Sequence, residues 1–169
     1  MSKSKRDVKE HHKEVTCFAL FEPEGSLLSG SSDKTIRVWK MVNQKLECIE
    51  VITTTEPIHK IETCGQQTFL ITESRGLKLF DESRTAKVIC KSKQVKCLTV
   101  NQRKLYLGCT DSSIQEVDVP NDQHRELKSP AKRWLKQKKP ANSVVVYRDW
   151  LYVASSIVEG SNFKVCTEV

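Results

Sequence analysis

At 169 residues, with 28 Lys and Arg against 21 Asp and Glu and a 38% hydrophobic share, the chain is short and basic, with net charge +7. Those proportions exclude a disordered polyelectrolyte and predict one packed domain or part of one. No run approaches the roughly 18–20 apolar residues of a membrane helix, and the basic start MSKSKRDVKEHHKEV has no apolar stretch behind it to act as a secretory signal. The expectation is a cytoplasmic or nuclear protein with no membrane partner.

Residues 1–10 read as a basic leader. From residue 11 onward the pattern is all-β, with helix-period runs nearly absent. Val15 opens a first strand, and Glu22-Pro23-Glu24-Gly25 supplies a Pro- and Gly-shaped turn. Thr35 to Lys40 and Gly76 to Phe80 alternate with the period of two that a half-buried strand needs. Leu46 to Ile52 is a plausible outer strand, and Ala86 to Cys90 a weaker one.

The layout recurs. SLLSGSSDKTIRVW from Ser26, TFLITESRGLKLF from Thr68, KLYLGCTDSSIQEV from Lys104 and WLYVASSIVEGSNFKVC from Trp150 each read as strand, tight polar turn and strand. The first and third match without gaps, pairing Leu27 with Leu105, Gly30 with Gly108, Asp33 with Asp111 and Ile36 with Ile114. Trp39, Phe80, Val117 and Cys166 then share one column, spaced 41, 37 and 49 residues apart. That period is near the ~40–45 residues of a WD40 propeller blade, and Ser29 to Trp39 carries the WD signature. The units span about 11–52, 56–91, 93–130 and 142–169.

His11 stands four residues before Val15, the spacing of the histidine in the WD40 hydrogen-bond network. Its partners here would be Ser29 or Ser31, Asp33 and Trp39, since a buried imidazole must be paired. Only the first unit offers the full set. The second and fourth lack the turn Asp, and every later unit lacks the Trp.

Chemistry-bearing motifs are missing. The sequence has no GxxxxGK[ST], GxSxG or HExxH, its seven cysteines form no CxxC, and its four histidines show no zinc-ligand spacing. No cofactor, metal or catalysis is expected, and the cysteines are expected to be reduced. Lys132-Arg133-Trp134-Leu135-Lys136-Gln137-Lys138-Lys139 is the one charge cluster. It reads first as a solvated connection between the third and fourth units. Partner docking through Lys132, Arg133, Trp134, Lys136, Lys138 and Lys139 is the second reading, and nucleic acid the third. Aromatics in the second strands, such as Tyr106, Trp150 and Tyr152, read as packing.

LSGSSDKTIRVWKMVNQKLECIEVI, with CKSKQVKCLTV, KLYLGCTDSSIQEV and WLYVASSIVEGSNFKV, closely resembles the C-terminal WD40 region of plant U-box–WD40 E3 ubiquitin ligases of the LIN or CERBERUS type, over about Glu14 to Val165. The resemblance implies a module that binds protein partners or substrates, with ligase activity residing in a U-box that these residues do not contain. About four blades, the last lacking a recognisable outer strand, do not make the usual seven. The expectation is an open arc of a partial propeller, with missing blades supplied by a longer chain or another subunit. The alternatives are a basic propeller associated with nucleic acid, and a gene fragment without function of its own.

Overall fold

The computed structural model describes residues 10–72, 74–80, 86–119, 121, 123–127, 140–148, 150–157 and 160–168. Among the described residues, fifteen strands form four antiparallel sheets, each strand pairing with its chain neighbour. The first blade is β1 (Val15–Phe21), β2 (Ser26–Ser31), β3 (Thr35–Val42) and β4 (Lys45–Thr53). The second is β5 (Ile58–Cys64), β6 (Gln67–Thr72), β7 (Leu77–Phe80) and β8 (Ala86–Ile89). The third is β9 (Val95–Asn101), β10 (Lys104–Cys109), β11 (Ile114–Asp118) and β12 (Gln123–Leu127). The last sheet has three described strands, β13 (Ala141–Tyr147), β14 (Trp150–Ile157) and β15 (Gly160–Glu168). The sheets stand in series as an open arc, not a closed ring.

Local chemistry accounts for the hairpins. Asn43 and Gln44, and again Gln102 and Arg103, take positive φ at two-residue connections, the backbone that matches the twist of a tight hairpin. Glu22–Glu24 is a single 3-10 turn, closed by Gly25 in the left-handed region with its N–H on the Glu22 carbonyl. The signature column is a shared register. Trp39 lies opposite Leu27, Phe80 opposite Thr68, and Val117 opposite Leu105. Cys166 departs from it, falling where β14 and β15 slip between Leu151 and Tyr152. The sequence reading named no third-blade outer strand. β12 fills that place with QHREL, whose polar residues lack the apolar alternation that marks a strand in sequence.

Each first strand is kinked at the same point. Registers shift between Val15 and Cys17, Ile58 and Lys60, Val95 and Cys97, and Ala141 and Ser143. One extra residue bulges there, namely Thr16, His59, Lys96 or Asn142, and a bulge bends the strand that carries it. Polar side chains near these bulges tie one first strand to the next. The Thr16 hydroxyl reaches the Ile58 carbonyl at 2.6 Å, Lys60 Nζ donates to the Leu98 carbonyl at 2.9 Å, and Lys96 donates to Asn142.

The core consists of junctions between blades. Leu28, Ile36 and Val38 of the first blade close on Ile58, Ile61 and Leu70 of the second. Phe69, Ile71 and Leu77 meet Leu98, Leu107 and Val117 at the next junction. Cys97, Tyr106 and Ile114 meet Ala141, Val144, Leu151 and Val153 at the last. Tyr106 is buried packing, whereas Trp150 is exposed at the first position of β14, the place that Gln67 and Lys104 hold half-buried in β6 and β10. Cys17, Cys48, Cys64, Cys97 and Cys109 are in no disulfide.

Candidate functional site: the polar braces of the blade hairpins

The first blade places its best-preserved residues in one chain of hydrogen bonds. β2 presents Ser29 and β3 presents Trp39, while the β2–β3 turn carries Asp33 and the segment before β1 folds back to deliver His11. Trp39 Nε1 donates to Ser29 Oγ at 2.8 Å, Ser29 Oγ lies 2.7 Å from His11 Nε2, and His11 Nδ1 lies 2.9 Å from Asp33 Oδ2. An indole can only donate and a carboxylate can only accept, so with a neutral imidazole between them the ends fix the direction. Trp39 gives to Ser29, Ser29 to His11 Nε2, and His11 gives its Nδ1 proton to Asp33.

Asp33 is further held by the Thr35 hydroxyl at 2.6 Å, the Thr35 amide at 2.9 Å and the His12 amide at 2.9 Å. Burial pushes its carboxyl up, but hydrogen bonds from Thr35, His12 and His11 outweigh it and hold the group well below the ordinary carboxylate range. Of the two serines considered from sequence, Ser29 joins His11 to Trp39. Ser31 Oγ instead accepts the Asp33 amide at 3.0 Å and belongs to the turn. Thr35 was missed, although the Asp-x-Thr/Ser spacing repeats as Asp111-Ser112-Ser113, where Ser113 N and Oγ bond Asp111 in the same way.

The second and third blades brace the same corner with different chemistry. Glu56, two residues before β5, accepts from Thr72 Oγ1 at 2.6 Å, Ser74 Oγ at 2.8 Å and Lys78 Nζ at 2.9 Å. Those bonds, Thr72 first, bring its carboxyl down to about 2. Lys93, two residues before β9, donates to Asp111 Oδ2 at 2.7 Å. Burial raises Asp111, yet Lys93 and Ser113 take it down to about 2. A histidine–aspartate pair, a glutamate with hydroxyls and a lysine, and a lysine–aspartate pair thus do one structural task, tying the segment before each first strand to the β-hairpin above it.

These shifts set a pH dependence. A folded carboxyl held below its unfolded value stabilises the fold above that value, and the gain is lost as pH falls through the folded one. Stability is therefore expected to be constant above the ordinary values of 3.8 to 4.5 and to fall steeply toward about 2. Asp33 is 6% exposed and Asp111 50%, so solvent screens most of the latter and Asp33 dominates. Acid titration followed by tryptophan fluorescence checks this, and Asp33→Asn should flatten the slope.

Beside the first brace, a concavity of about 380 Å³ opens on the outer side of the first blade, lined by His11, Phe18, Leu27, Trp39 and Leu46 among others. No group of three or more His, Cys, Asp or Glu able to hold a metal occurs among the described residues. The 132–139 cluster, with Lys132, Arg133, Trp134, Lys136, Lys138 and Lys139, lies outside the described residues.

Serial antiparallel sheets, the first carrying a Trp–Ser–His–Asp brace, form a partial β-propeller. Residues 2–40 match the family described as WD40, WD domain, G-beta repeat. The chain is similar to proteins named as candidate E3 ubiquitin-protein ligases. It is 33% identical to LIN-1 and 32% to LIN-2 of Lotus japonicus, and 31% to LIN of Medicago truncatula, over 95% of its own length in each case. It spans only 11% of each relative. Among solved structures, the computationally designed Ika4 protein superposes with TM-score 0.69 at 13% identity, covering 98% of both chains. The β-propeller domain of Myceliophteria thermophila Cps50 (Swd1) gives TM-score 0.68 at 12% identity, with 89% of this chain covering 52% of that one. The designed Ika8 protein gives 0.63 at 12% identity, with 86% of this chain covering 44% of that one.

Proposed function

We propose that the chain is the partner-binding part of a ubiquitin-ligase-like protein, presenting loops on rigid blades to a protein substrate and leaving ubiquitin transfer to a U-box elsewhere. The observation that carries this reading is the similarity to the LIN proteins, which runs through the degenerate blades as well as the signature one. Rigid β-sheets holding variable loops suit selection of a partner, because the ordering cost of the binding surface is met by the scaffold. Ligase activity belongs to the larger protein in this reading, and the cytoplasm or nucleus is the setting.

The test is a fusion of a U-box to this chain in a reconstituted E1–E2 reaction, with proteins crosslinked to the chain in plant extract supplied as substrates. Ubiquitination of a crosslinked protein should run at least tenfold faster with the fusion than with the U-box alone. Equal rates would overturn the proposal. Binding to DNA or RNA that collapses with rising salt would instead favour the reading that rests on the net charge of +7.

A further inference from the structure

The outer edge of the internal junction between the second and third blades brings a thiol and an imidazole together. Cys90 Sγ lies 3.0 Å from His124 Nδ1, the distance at which a base can take a nucleophile's proton. Cys90 directly follows β8, in the turn that leads to β9, and is held at φ 51°. The Lys93 amide donates to the Cys90 carbonyl at 3.0 Å, and the Gly76 amide donates to the Lys93 carbonyl at 2.7 Å. Those bonds fix the turn and with it the direction of the thiol. His124 sits on β12 opposite Val117, and directly opposed residues share a face of the sheet. Val117 is buried toward the second blade, so the imidazole stands on the side of the third blade that looks at Cys90. Cys90 packs against the same core cluster but stays half-buried, and His124 is exposed, so a reagent in solution can reach the pair.

Five other cysteines are set in different surroundings. Burial pushes up the thiols of Cys17, Cys64, Cys97 and Cys109, Cys97 to about 11, and keeps them protonated. Cys48 Sγ donates to the Glu50 carbonyl at 3.4 Å, which cannot carry the proton away. The Arg37 guanidinium beside Cys48 is held by Glu10 at 2.9 Å. An imidazole, by contrast, can take a proton and return it. From this pairing we infer that Cys90 and His124 form a thiol–disulfide exchange site, at which a small disulfide of the glutathione kind modifies Cys90. His124 Nδ1 accepts the Cys90 proton, and the thiolate attacks one sulfur of the reagent. The reagent's S–S bond breaks as a new S–S bond forms to Cys90 Sγ. The departing half leaves as a thiolate and takes the proton back from His124, so the disulfide is the only oxidant consumed. This site is independent of the ubiquitin-ligase reading.

The test is incubation of the native chain with excess oxidised glutathione at neutral pH, with acid quenching at intervals and mapping of the adducts by peptide mass spectrometry. Cys90 should be modified at least tenfold faster than Cys17, Cys48, Cys64, Cys97 or Cys109. His124→Ala should slow Cys90 about tenfold and leave the Cys48 rate and the circular dichroism unchanged. His124→Gln, which keeps a polar side chain on β12, should be equally slow. Free imidazole added to the His124→Ala chain should restore part of the Cys90 rate, which a purely structural role for the ring would not allow. Cys90 reacting no faster than Cys48 would overturn the inference. So would a wild-type Cys90 rate in either variant, or a His124→Ala chain that imidazole fails to rescue.

Discussion

Ser29→Ala should cost more stability than any other single change in the first-blade brace, roughly 2–4 kcal/mol. Ser29 is 1% exposed and its hydroxyl is the only link between the Trp39 indole and the His11 ring in the bonded chain. Removing it leaves a donor at Trp39 Nε1 and an acceptor at His11 Nε2 without their partner in a site where both rings are covered. Trp39→Phe deletes the donor and keeps most of the ring, so about 1 kcal/mol is expected. Asp33→Ala releases the Thr35 and His12 amides together with His11, which places it between the two. Urea unfolding of the three variants orders them. A Ser29→Ala protein as stable as wild type would show that the brace is not cooperative.

The parts of the fold legible in the sequence are those whose chemistry repeats with a fixed hydrophobic period. Ile36 and Val38 alternate across Arg37 and, with Leu28, are core, and the Trp39, Phe80 and Val117 column is a true register. The brace of the first blade was legible because its Trp, Asp and His are individually rare in such places. The braces of the second and third blades were not, since Glu56 and Lys93 take the role of His11 with different charge and sit two residues before the strand instead of four. A motif search reads residue identity, whereas the corner needs only a polar group that reaches the turn. Trp150 failed for another reason. It opens β14, the place that Gln67 and Lys104 hold in the second and third blades, where a side chain stays partly open to solvent.

Gly108→Ala is expected to loosen the junction between the third and fourth blades by on the order of 2–3 kcal/mol. A Cβ at Gly108 would sit 2.5 Å from Cys97 Sγ and 2.7 Å from Ala141 Cβ. Ala141 Cβ is fixed to the β13 backbone and cannot swing away, so β13 itself must retreat. Gly30 occupies the same column in the first blade, where a Cβ would meet Cys17 Sγ, Ile58 Cγ2 and Ile61 Cδ1 at 2.8 to 2.9 Å. Two of those atoms end rotatable aliphatic side chains, so Gly30→Ala should cost about half as much by the same overpacking argument. Stacked blades depend chiefly on their neighbours, and the damage from Gly108→Ala should be local. Amide exchange should quicken across β13 to β15 and leave β1 to β4 nearly unchanged. Adding Ala141→Gly removes the fixed contact and should recover part of the loss. Uniformly faster exchange over all four sheets would mean that the arc unfolds as one cooperative unit, with no junction weaker than the rest.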